Sequence, residues 1–125
     1  MSTPALSALI QLLRNTAASI RSIEAKAEVA LQAHSSTTFR DLMEEKATML
    51  AELADNACPL GQALAPEESV IAMNAIKQFS TSAEAALGLG SHFYMFALLY
   101  PDTHVKGTPN NLDLLIERLC ALQSE

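Results

Sequence analysis

His92 is the side chain in this sequence best placed for proton chemistry. It lies in the stretch GLGSHFYMFALLYPD, residues 88–102, between Ser91 and Phe93, with Gly88 and Gly90 before it and Tyr94 after it. An imidazole changes charge near neutral pH, so it can serve as a general base or as a donor to a ligand. Two glycines in a row of apolar residues leave room for a close approach to the backbone. His92, Tyr94, Gly88 and Gly90 therefore form the candidate ligand pocket. The competing role for His92 is that of a neutral core histidine bonded to a carbonyl or a tyrosine.

Other reactive side chains lack the partners their chemistry needs. Carboxylate-bridged metal bundles take Glu-x-x-His pairs from two helices, and no Glu in this chain is followed three positions later by His. Glu84 and His92 are eight residues apart, about 80° around a helix axis, and with Asp113 and Glu117 they make too sparse a set for a metal centre. Cys58 and Cys120 belong to no Cys-x-x-Cys or Cys/His pattern and read as reduced thiols serving as small core residues. GLGSH follows no strand pattern and is not followed by the lysine of a phosphate-binding loop. No Ser/His/Asp ordering or nucleophile elbow is present. His34 and His104 fall at helix ends or loops and read as solvated. No catalytic residue, metal or cofactor is assigned.

Glu24 and Lys46 are charged residues that interrupt two otherwise apolar seams. With the intervening turn centred near residue 35, each lies 11 residues from it, so the two stand at the same height and form a candidate cross-helix ion pair. Such a pair adds little net stability but fixes register, because burying either charge alone costs several kcal/mol. Glu28 opposite Arg40 is a similar, more exposed pair.

The elements that must position these residues are helices. Thr3 is a candidate N-cap with Pro4 at the first helical position, and Leu6, Ile10, Leu13, Ala17, Ile20, Ala27 and Leu31 follow at alternating spacings of four and three, interrupted at Glu24. The spacing predicts a helix over 4–34. Thr38 and Asp41 resemble a capping box, and Phe39, Met43, Leu50, Leu53 and Ala57 extend the pattern to 57, where Cys58-Pro59 ends or kinks the helix. Pro66, Glu67 and Glu68 suit the start of a third helix, drawn over 66–100 and terminated by Pro101, with a bend at Gly88 and Gly90. Leu112, Leu115, Leu119 and Leu122 mark a fourth over 110–123. The expected fold is all-α, an antiparallel four-helix bundle in one domain with two long and two shorter helices.

The first helical pair, SIEAKAEVALQAHSSTTFRDLMEEKATMLAEL, residues 22–53, resembles the long helical pairs of flagellar export chaperones. The likeness rests on generic Glu, Ala, Lys and Leu helix chemistry and does not pass Pro59. It covers about a quarter of the chain and does not establish a function.

Composition narrows the function further. The chain has 125 residues, half of them hydrophobic and 18% charged, with a formal charge of −6. Its eight Lys and Arg are scattered from Arg14 to Arg118, which argues against a nucleic-acid partner. No apolar run approaches the ~20 residues of a membrane span, and the N-terminus lacks the pattern of a secretory signal. A cytoplasmic location is expected.

Between Gln78 and Tyr100 the only formally charged residue is Glu84, and four of the six aromatic residues lie at Phe93, Tyr94, Phe96 and Tyr100. An apolar segment without a wet face must be enclosed. A second copy is the simplest cover, and removing on the order of a few hundred Å² of apolar surface from water is worth several kcal/mol. The expected function is a non-catalytic interaction module, with Phe93, Tyr94, Phe96, Leu99, Tyr100 and Leu119 at a homodimer interface or, failing that, against another protein. The alternative is a small-molecule-binding or enzymatic bundle built around His92.

Overall fold

A computed structural model of the chain describes residues 4–101 and 103–123. Among them the fold is all-helical: α1 Pro4–Gln32, α2 Ser36–Gln62, α3 Pro66–Leu89, α4 His92–Ala97 and α5 Asn111–Gln123. The short turn after α1 makes α1 and α2 neighbours, α2 also packs on α3, and α5 touches both α1 and α3. α4 lies against α2 and α3.

The alternating apolar stripes meet in one core. Leu6, Leu9, Leu13 and Ile20 of α1 pack with Met43, Leu50 and Leu53 of α2, Ile76 of α3, and Leu112 and Leu119 of α5. Buried alanines, among them Ala17, Ala47, Ala72 and Ala83, let helix axes approach closely. At the α2–α3 contact the approach is tight at Gly61, where a Cβ would stand 2.6 Å from Met73 Sδ.

Several boundaries differ from those expected. Thr3 lies outside the described residues. α2 begins at Ser36 with Ser35 as its N-cap residue, and Thr38 Oγ1 accepts a hydrogen bond from the Ser35 hydroxyl rather than heading a capping box with Asp41. α2 also runs through Pro59 to Gln62. The lost N–H matters little there, because Pro59 sits in the last turn and the residue whose carbonyl it orphans, Asp55, is exposed to water. Within the middle of α2 the Ser80 hydroxyl of α3 donates to the Leu50 carbonyl at 2.8 Å and accepts from the Ala54 N–H at 3.0 Å. These two backbone groups stand four residues apart, and the buried hydroxyl is satisfied by both.

The third helix is not continuous to residue 100. It stops at Leu89, where Gly90 adopts a left-handed conformation at φ 64° and the Gly90 and Ser91 N–H groups bond back to Leu87 and Ala86. Ser91 then caps α4 by accepting from the Tyr94 N–H at 3.2 Å. After α4, Ala97 to Tyr100 form a turn closed by the Tyr100 N–H on the Ala97 carbonyl at 3.0 Å. Leu98 has φ −55° and ψ 135°, and Leu99 has φ 76°, which is a type II turn with leucine where glycine is favoured.

Leu99 tolerates this strain because its side chain is buried in the core and its carbonyl accepts from the Asn111 N–H at 2.9 Å, at the start of α5. α5 opens with a reciprocal box: the Asp113 N–H bonds to Asn110 Oδ1 and the Asn110 N–H to Asp113 Oδ2, at 2.9 and 3.1 Å.

Gly90→Ala places a Cβ on a left-handed residue with open space around it, so backbone strain alone decides the outcome. A loss of about 1 kcal/mol in urea unfolding is expected.

Candidate functional site

The sequence places Glu24 on the core-facing side of α1 and Lys46 on the matching side of α2, and the structure brings their side chains together. Lys46 Nζ lies 3.1 Å from Glu24 Oε2. It also donates to the Phe96 carbonyl of α4 at 3.0 Å and sits 5.0 Å from the centre of the Tyr100 ring. The Lys46 side chain is completely buried. The Tyr100 hydroxyl lies 2.8 and 2.7 Å from the two oxygens of Glu24, donating to the carboxylate. Four segments of chain thus converge on one carboxylate and one ammonium.

Burial disfavours the charged form of both donors. It holds Lys46 below the usual lysine range, and the neighbouring Glu24 charge opposes that shift. Tyr100 is pushed up to about 12, first by burial, then by its hydrogen bond to Glu24 and the Glu24 charge, with the Asn110 side chain working against the shift. The phenol therefore stays a donor at neutral pH. Lys46 binds Glu24 and the Phe96 carbonyl, and Tyr100 binds Glu24, so the groups hold one another as a clamp.

Beside the clamp an open groove of about 1220 Å³ runs along α1 from Arg14 to Leu31. Its opposite wall is made by Phe93, Phe96 and Tyr100, by the segment from His104 to Asn110, and by Asp113, Ile116 and Glu117 of α5. Arg21 of α1 pairs with Asp113 of α5 across it. His104 stacks edge-on to Tyr100 at 4.7 Å.

The residues expected around His92 do not make a cavity. His92 is the first residue of α4, half-buried, with Nε2 at 3.4 Å from Glu44 Oε1. Gly88 and Gly90 face open space, and none of His92, Tyr94, Gly88 and Gly90 lines the groove. Glu28 and Arg40 make no ion pair with each other; both are exposed and remain hydrated. Among the described residues no three His, Cys, Asp or Glu side chains are grouped to hold a metal ion, and no helix is long and apolar enough to cross a membrane.

The expected interface residues divide into two sets. Phe93, Tyr94 and Phe96 are 76, 54 and 53% exposed. Leu99 and Leu119 are buried in their own core, so these two are not free to meet another chain, and the Tyr100 hydroxyl is held by the clamp. The enclosure inferred from composition is therefore half met from within, by Met95, Leu98 and Leu99. The role of Tyr100 as a donor to Glu24 and the groove on the α1 side have no signature in the sequence, whereas Asn110-Asn-Leu-Asp-Leu-Leu could have been read as a capping pattern from Asn110 and Asp113 alone.

Compared with known proteins, the chain matches no protein-family model, no curated protein and no solved structure.

Lys46→Met strands a partly buried carboxylate and is expected to cost about 3–5 kcal/mol in urea unfolding, while adding Glu24→Gln recovers most of that loss. In a spectrophotometric titration of the two tyrosines, one phenol is expected to ionise only near pH 12, and this transition disappears in Tyr100→Phe. Because the folded state holds this proton more tightly than the unfolded chain, the Tyr100 contribution to stability is intact below pH 10 and is lost as the pH rises from 10 to about 12.

Proposed function

We propose that this protein is a non-catalytic helical interaction module that self-associates through α4. The observation that carries the reading is the division of that short helix: Met95 is buried and fastens it to the core, while the rings of Phe93, Tyr94 and Phe96 stand in water. Three neighbouring exposed rings on six residues are a costly surface for a protein that remains alone. Phe93 and Tyr94 already meet edge to face at 5.8 Å and Phe39 approaches Phe96 at 6.3 Å, so the surface is pre-shaped and loses little side-chain freedom on docking. A two-fold contact covers the rings of both copies at once without needing a second kind of surface.

We read the frame that presents α4 as an antiparallel four-helix bundle made of α1, α2, α3 and α5, with α4 as a strap across it. The cycle of neighbours α1 to α2, α2 to α3, α3 to α5 and α5 to α1 supports this arrangement. Two cysteines on separate helices, with no disulfide between them, suit a reducing compartment, and we place the protein in the cytoplasm.

Light scattering on the eluting protein tests the reading. A particle of twice the 13.4 kDa chain mass is expected, and Phe93→Asp with Phe96→Asp should give a monomer of unchanged helical circular dichroism. A wild type that stays monomeric at roughly 100 μM rejects the proposal.

A further inference from the structure

α1 faces the groove with its charges separated by sign along its length. Arg14 and Arg21 stand on the groove side of the first half, Glu24 and Glu28 on the groove side of the second. Arg14 and Glu28 are 14 residues apart, about 21 Å along the axis and within about 40° of the same face. The inner two charges are satisfied within the chain, Arg21 by Asp113 and Glu24 by Lys46. The outer two are not: among the described residues Glu28 meets no opposite charge, and Arg14 reaches the Cys120 thiol at 3.3 Å, a weak acceptor.

Ala17, Leu31, Phe93, Phe96 and Ile116 add apolar lining between and beside these charges. At about 1220 Å³, open and several helical turns long, the groove exceeds the ~300–1000 Å³ of small-molecule pockets and suits the side chains of another helix. A two-fold axis through the groove sets the α1 helices of two copies antiparallel. With the axis beside Arg21, position 14 of each copy faces position 28 of the other, so both outer charges are matched twice over. Arg21 lies at the axis with its charge already matched by Asp113. Glu117 and Lys106, the remaining charged residues of the groove, carry one charge of each sign.

We infer that the occupant of this groove is a second copy of the chain, docked antiparallel along α1 with Arg14 facing Glu28 of the partner subunit. The inference rests on self-association through α4 and adds a surface and a register to it.

Sedimentation equilibrium with a charge swap tests the register. Arg14→Glu and Glu28→Arg each put like charges together and are expected to weaken the dimer about tenfold or more. The double variant, and an equimolar mixture of the two single variants, restore both contacts and should return to within about threefold of wild type. Both positions are exposed, and circular dichroism of each variant should match wild type. A wild-type dimer indifferent to either single change, or a double variant as weak as the two losses combined, overturns the antiparallel register and leaves self-association through α4 standing. A wild type that is monomeric overturns both.

Discussion

A fully buried ammonium is tolerated in this core only because three groups surround it. Lys46 keeps its charge by reaching Glu24, the Phe96 carbonyl and the face of Tyr100 together, and Glu24 in turn needs the Tyr100 hydroxyl to complete its own shell. Removing any one member exposes another to an uncompensated field. The cluster therefore requires residues near positions 24, 46 and 96–100 to arrive at one point. A straight helix from Pro66 to Tyr100 would carry Tyr100 away along its own axis. The bend in the chain and the ion pair are thus two views of one constraint.

That constraint explains how α4 is held. Gly90 turns the chain out of α3 at no steric cost, and Leu99 turns it again at a steric cost that its buried side chain and the hydrogen bond to Asn111 offset. Between the two turns only six residues are helical, fewer than two turns, so one face is fastened inward and the rest stays largely exposed. Met95 occupies the inward position; Phe93, Tyr94 and Phe96 take what remains. The exposed rings follow from the geometry of a short strap and not from a lack of apolar material beneath it. Two of them, Phe93 and Phe96, also line the α1 groove.

Reading from residues to elements works well where one helix determines its own pattern. The apolar stripes of α1, α2 and α5, Pro66 at the start of α3 and the equal heights of Glu24 and Lys46 are all visible without coordinates, because helical period and turn length alone set them. The reading loses accuracy where distant segments compete. Gly90 was visible as a weak point, yet whether it bends a helix or ends it depends on what the following residues can reach. Leu99 carries no turn signal, since leucine is disfavoured at positive φ and only its burial holds it there. Pro59 gives the opposite error: a strong local breaker is overruled because the group it orphans already faces water.

The sequence by itself determined the helical class, the seams along which α1, α2 and α5 pack and the pairing of Glu24 with Lys46, since these depend on side-chain periodicity and short-range connection lengths. Tertiary structure decided which aromatic residues are buried, where the groove lies and that Tyr100 completes the clamp. Burial is a property of neighbours in space, and an apolar run such as FYMFALLY contains no record of which of its sides the rest of the chain will cover.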